Sequence, residues 1–309
     1  MTKAESNIVL FSITLCWASS YIFIKNIPES ISAFAYVTMT AMVARLILAF
    51  VFAKRIKDFD KQTLGRSAVL AAIICGNLVF ERLGVAKIPA STASFIASLN
   101  IVFVPLLLLL FKRKLTLNNL VGIILIFTGL FITSGIKLGE SVNFGVIAMT
   151  IACLFMAIYI ITVDNFTKKN NPLLLGIGQM FFTALIGFGL WFIEEPKTFY
   201  SIVYTRGILA NIFILAFFAK AYAYIMLMYT QKYASPLTVT VMASTEPVVT
   251  MTLALLIPNT FGKTEILSMS NVFGASFILV GAIVAGTNFL SRKNRVDQAN
   301  NLTDSAQGS

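Results

Sequence analysis

Residues 91–111 read STASFIASLNIVFVPLLLLLF, twenty-one positions without one charged side chain. A helix rising ~1.5 Å per residue needs roughly 20 such positions to cross ~30 Å of hydrocarbon. Inside this run stands Ala97-Ser98-Leu99-Asn100, and a matching tetrapeptide, Ala243-Ser244-Thr245-Glu246, returns 146 positions later within PLTVTVMASTEPVVTMTLALLI, residues 236–257. A membrane-length run that carries a polar residue near its middle, twice and at corresponding places, predicts a membrane protein made of two repeated halves.

Working outward, the rest of the chain has the same character. Hydrophobic residues make up 58% of it and charged residues 12%, against about 25% charged in soluble domains. Ten apolar segments are predicted as spans: 8–25, 33–53, 67–85, 91–111, 117–135, 143–163, 173–193, 208–228, 236–257 and 268–289. Five spans per half is an odd number, so the halves enter the bilayer from opposite sides. The expected fold is therefore an all-α integral membrane protein, ten transmembrane helices in two inverted-topology five-helix repeats, at 8–135 and 143–289. Residues 290–309 are expected to be a disordered polar tail in the cytoplasm.

Charge placement orients this arrangement. Loops on one side hold fifteen Lys and Arg residues, among them Lys54, Arg55, Lys57, Lys112, Arg113, Lys114 and Arg292; the other side holds five, Lys87, Lys137, Lys197, Arg206 and Lys263. The bias predicts both termini in the cytoplasm. It also accounts for the net charge of +11 as a topology signal, so no nucleic-acid partner is expected. Cys16, Cys75 and Cys153 lie inside apolar runs and read as core residues. The absence of His excludes His-based metal sites and Ser–His or Cys–His catalysis. Gly262-Lys263-Thr264 lacks the preceding glycine of a phosphate loop, since that position is Ile257. No enzyme activity and no cofactor are expected, and the energy source should be a gradient. Gly122 and Gly129 echo Gly274 and Gly281, each pair seven apart, which suits close helix packing or a homodimer contact.

Several short stretches resemble the EamA branch of the drug/metabolite transporter superfamily. They are Trp17-Ala18-Ser19-Ser20-Tyr21 with Lys25, Arg45, Phe95-Ile96-Ala97-Ser98-Leu99 with Pro105, Ala223-Tyr224, Gln231 to Pro236, and Glu246-Pro247. The resemblance runs from about residue 9 to residue 286. It implies a secondary carrier of a small organic metabolite in a bacterial inner membrane, with export the commoner direction. The chain departs from the family pattern at Ala18, Glu81, Lys220 and Leu227, where glycine, glutamine, a small residue and a polar residue are more usual.

An ionisable group at mid-bilayer costs roughly 2.5–3.5 kcal/mol on insertion scales, so each one invites a functional reading. Lys220 falls ~12 Å and Glu246 ~15 Å from the inner ends of consecutive spans, which predicts that they face one cavity and pair. Asn100 is the counterpart of Glu246, and Trp17 and Tyr224, with Tyr21, fit an aromatic wall. Pro247 withholds a backbone donor and is expected to free a carbonyl one turn earlier. Glu81 reads either as part of a rim cluster with Arg82 and Lys87 or as a coupling carboxylate. Arg45 reads as structural, gating or ligand-binding. Gln179 and Tyr159 are weaker candidates, and Lys25 and Asp164, at span ends, are expected to snorkel. The reading is a secondary transporter of an amino acid or nucleoside-like compound, coupled to protons or exchange. The alternative is a membrane scaffold that transports nothing.

Overall fold

The computed structural model describes residues 3–110, 116–134, 143–258 and 268–286, and every regular element among them is helical. The helices are α1 (Lys3–Lys25), α2 (Ala33–Val51), α3 (Lys61–Lys87), α4 (Ala90–Ala97), α5 (Asn100–Leu110) and α6 (Leu117–Ser134) in the first half. The second half contains α7 (Phe144–Thr167), α8 (Pro172–Glu194), the single turn α9 (Thr198–Ser201), α10 (Arg206–Ile214), α11 (Ala223–Gln231), α12 (Pro236–Ala243), α13 (Glu246–Leu256) and α14 (Met269–Gly286). A 3₁₀ turn, Ala53–Asp58, follows α2, and a π-helical stretch, Leu215–Tyr222, joins α10 to α11. Eight segments are long and apolar enough to cross a membrane, and two shorter apolar helices, within α6 and α14, accompany them. The predicted tail, the Gly262-Lys263-Thr264 stretch and the basic residues at 112–114, 137, 263 and 292–295 lie outside the described residues.

Helix starts follow from local chemistry. Ser32, Asp60, Asn143, Asn171, Thr205 and Ser235 each offer a side-chain oxygen to a backbone N–H of the first turn they precede. Pro172 and Pro236 open α8 and α12, where a missing N–H costs nothing. Apolar side chains then point both ways. Phe50 is 87% and Leu110 77% exposed on the outer surface, while Gln179, Gln231, Thr183 and Ser244 are fully buried. That inside-out distribution suits hydrocarbon as the solvent.

The two interrupted helices are what place the site. α4 ends at Ala97 and α5 restarts at Asn100; α12 ends at Ala243 and α13 restarts at Glu246. Across each break the backbone tightens to i→i+3 bonds, Leu99 N–H to Ile96 O at 3.0 Å and Thr245 N–H to Met242 O at 3.1 Å. Pro247 is the second residue of α13, so it begins a new helix and does not kink a continuous one.

The glycine faces are used within the chain. α6 lies against α14, and a Cβ on Gly122 would stand 2.6 Å from the Gly281 carbonyl oxygen. One on Gly129 would stand 2.5 Å from the carbonyl of Gly274. Asn118 and Asn119 donate to the carbonyls of Val284 and Ala285 at the far end of α14. The expected homodimer contact therefore finds these faces already occupied by each other. Gly122→Leu is expected to cost about 1–3 kcal/mol through overpacking, read as a lowered melting midpoint. Gly189→Ala, a helix position with nothing within 4 Å, is expected to leave the midpoint unchanged or slightly raised.

Candidate functional site

α1 supplies Trp17, Ser20 and Tyr21, spaced so that one helix face presents all three. α3 supplies Asn77 and Glu81, four residues apart. The first residues of α5 and α13, Asn100 and Glu246, enter from the two breaks, and Lys220 enters from the π-helical stretch with Tyr224 one turn beyond. Met149, Cys153 and Met156 of α7 form the apolar floor. Together they enclose about 40 Å³ of free space, room for a few waters and too little for a metabolite.

Six of the seven residues expected at the site, Glu246, Lys220, Asn100, Trp17, Tyr224 and Glu81, meet here; Arg45 does not. The direct Lys220–Glu246 pair is not formed. Among the described residues no carboxylate lies within 4.0 Å of Lys220. Its ammonium instead stands 5.7 Å from the Tyr224 ring centroid and 5.8 Å from that of Tyr36, within cation–π range. Glu81 lines the same cavity as Lys220 and Glu246. Two carboxyl groups and one ammonium thus surround the cavity without being locked to one another.

Both helix breaks have chemical consequences. Glu246 sits in the first turn of α13, where the helix dipole favours a negative charge. Its side of the cavity also holds the phenol of Tyr21. Asn100 is 8% exposed, and its Oδ1 has no donor among the described residues, so it is left for a ligand or water to satisfy. The Ala219 carbonyl, within the π-helical stretch, accepts from Trp17 Nε1 at 3.3 Å. Thr250 Oγ1 of α13 donates to the Ala18 carbonyl at 3.0 Å. α1 is thereby tied to the π-helical stretch and to α13 of the second half. The wall continues through rings, with Trp17–Tyr224 and Tyr159–Tyr224 centroids 5.6 and 5.7 Å apart. No group of three His, Cys, Asp or Glu suited to a metal occurs among the described residues.

Other expectations are redrawn by contacts. Arg82 does not cluster with Glu81. Adjacent positions on a helix point about 100° apart, and Arg82 turns to donate to the carbonyls of Ile24, Ile27, Pro28 and Ile31. Lys87 pairs with Glu29 at 2.8 Å, and that hydrogen bond holds the Glu29 carboxyl below the usual carboxylate range. Lys25 does not snorkel to a headgroup; its ammonium donates to the carbonyls of Val85, Ala86 and Ile88 at the end of α3. Asp164 is buried and bound to Lys168 at 2.8 Å. Gln179 accepts from the Tyr159 hydroxyl at 2.8 Å, behind the cavity wall. Sequence reasoning missed Asn77, whose amide donates to the Ala152 carbonyl at 2.9 Å beside Glu81. The spacing of four between Asn77 and Glu81 was the available clue.

Comparison with known proteins agrees with this geometry. A model of the EamA-like transporter family matches residues 5–135 and again residues 143–287. The chain belongs to the EamA-like transporter family. As a family member it is a multi-pass membrane transporter carrying two EamA repeats, and the tetrapeptides at the two breaks occupy one repeat each. It is similar to two proteins of Archaeoglobus fulgidus, each described as an uncharacterized transporter. One is 26% identical over 91% of this chain and 86% of its own length, the other 23% identical over 90% and 97%. A solved crystal structure superimposes with a TM-score of 0.68 over 94% of this chain and 99% of its own, at 14% identity, a likeness of fold alone.

Proposed function

We propose that this EamA protein is a secondary transporter for a small organic metabolite, an amino acid in the first place and a nucleoside-like compound in the second. In this reading ten helices cross a bacterial inner membrane as two inverted five-helix repeats, with both termini in the cytoplasm. The halves rock about the cavity and carry substrate outward by alternating access, driven by a proton gradient or by exchange. The observation that carries the reading is the pair of matched breaks, which bring Asn100 and Glu246 to one cavity with Glu81 and Lys220. Broken helices that aim their N-terminal ends into a shared cavity are how many carriers build a binding site.

The charge set supports the substrate class. Glu246 and Glu81 offer acceptors for an ammonium group, Lys220 a donor for a carboxylate, and Trp17, Tyr21 and Tyr224 an aromatic surface for the side chain. Lys220→Met is expected to raise KM for an amino acid on the order of 10- to 100-fold, the scale of one lost charge-assisted hydrogen bond, while its effect on a substrate lacking a carboxylate stays small. Counterflow in proteoliposomes, with single amino acids and nucleosides as trans substrates, measures both. Cysteines placed at Ala97 and Ala243, on the cavity wall, should react with impermeant thiol reagents from each side in turn. Labelling from neither side during turnover conditions would favour the scaffold reading.

A further inference from the structure

Arg45 lies outside the central cavity, on α2, six residues before the helix ends at Val51, or ~9 Å along its axis. Its guanidinium stacks 4.6 Å from the Phe181 ring centroid. The polar contact found for it is the thioether of Met42 at 3.6 Å, a weak acceptor for a group with five N–H donors. No carboxylate lies within 4.0 Å of it among the described residues. An arginine in a membrane-spanning helix ordinarily finds an anion, a carbonyl cluster or water.

Arg45 borders a cleft of about 390 Å³ between α2, the 3₁₀ turn, the start of α3 and α8. Apart from Arg45 its walls are carbon: Ile56, Phe59, Leu64, Ile177 and Phe181 are the main contributors. The volume falls in the ~300–1,000 Å³ range of ligand pockets. The 3₁₀ turn forming its rim carries Lys54, Arg55 and Lys57, all exposed. The acidic residues beside them are engaged, Asp58 by Arg55 at 3.4 Å and Asp60 by the N–H of Thr63 at 3.0 Å. One end of the cleft is thus cationic and the remainder is apolar.

We infer that this cleft binds an anionic phospholipid, with an acyl chain against Phe59, Leu64 and Ile177 and the phosphate on Arg45 beneath the basic turn. A soluble anion such as a free phosphate would need several further donors close to the guanidinium, and the walls supply none. A zwitterionic lipid would gain little from Lys54 and Lys57, whereas clustered basic residues at a membrane surface select acidic headgroups. The proposal concerns a site separate from the central cavity and holds or falls independently of what the carrier moves.

A lipid that binds the folded state raises its melting midpoint. Full-length protein in a neutral detergent is melted with added phosphatidylglycerol, phosphatidylcholine or inorganic phosphate. Phosphatidylglycerol is expected to raise the midpoint by several degrees and the other two to leave it in place. Arg45→Gln should lose that shift. Leu64→Trp, which fills the cleft and keeps every charge, should lose it too and remains informative if Arg45→Gln does not fold. An equal shift with phosphatidylcholine, a shift with inorganic phosphate alone, or an undiminished phosphatidylglycerol shift in Leu64→Trp overturns the proposal.

Discussion

Glu246→Gln is expected to stop concentrative uptake or export in proteoliposomes while leaving the melting midpoint of the protein unchanged or slightly higher. The two halves of that result come from one geometry. Glu246 is 5% exposed, and no cation lies within 4.0 Å of it among the described residues. A charge there is favoured by the helix N-terminus alone, with no salt bridge to share the cost of burial. Glutamine keeps the volume and the acceptor oxygen, orphans no partner and removes that cost, so stability does not fall. Transport is another matter, because a neutral amide cannot exchange a proton or pair with a substrate ammonium. A lost charge-assisted contact of about 1.5–3 kcal/mol lowers the rate on the order of 10- to 100-fold, and loss of coupling would abolish accumulation against a gradient. Initial rates within twofold of the unaltered protein, with the same pH profile, would remove Glu246 from the mechanism.

The places of Glu246 and Asn100 at two matching helix breaks were legible because a broken helix leaves a sequence trace, a polar residue midway along an apolar run, and because the trace is written twice. Family membership was legible for a similar reason, through short stretches spread along the chain in a fixed order. Residue facing was harder to read. Counting from span ends left Glu81 open between a rim cluster with Arg82 and Lys87 and a coupling carboxylate; α3 runs unbroken from Lys61 to Lys87, and a rotation of one residue sends Glu81 into the cavity and Arg82 away from it. The π-helical stretch was invisible for want of any composition signal, and it is what sets Lys220 over two tyrosine rings and not beside Glu246. The glycine pairs showed that helices must approach closely. Spacing alone does not say whether the partner is α14 of the same chain or a second copy.

Arg82→Met is expected to be the most damaging single change to stability away from the cavity. Arg82 is 3% exposed and gives hydrogen bonds to four carbonyls that end α1 and form the turn into α2, at 3.4, 3.0, 2.8 and 3.2 Å for Ile24, Ile27, Pro28 and Ile31. Lys25, at the end of α1, returns the favour to α3 through Val85, Ala86 and Ile88 at 3.1, 3.0 and 3.0 Å. A cation from each helix thus lies at the C-terminal end of the other, bonded to Ile24 and the turn after α1 in one case and to Val85, Ala86 and Ile88 in the other, where it opposes the dipole. Methionine fills much of the same space but takes the guanidinium donors from all four carbonyls, of which Ile24 and Pro28 keep a backbone N–H, from Ile27 and Ile31. The expected loss is about 3 kcal/mol, or a fall in melting midpoint on the order of 6–12 °C. Lysine at the same place should recover less than half of it, because one ammonium cannot reproduce the planar fork that spans these carbonyls. Combining Arg82→Met with Lys25→Met should give a non-additive loss, since both clamps hold the same two segments. A midpoint within 2 °C (~1 kcal/mol) of the unaltered protein for Arg82→Met, or full recovery by lysine, would show that the clamp contributes little. If it holds as expected, the clamp fixes α3 against α1 at one end, and in the proposed alternating-access cycle the two helices move together there.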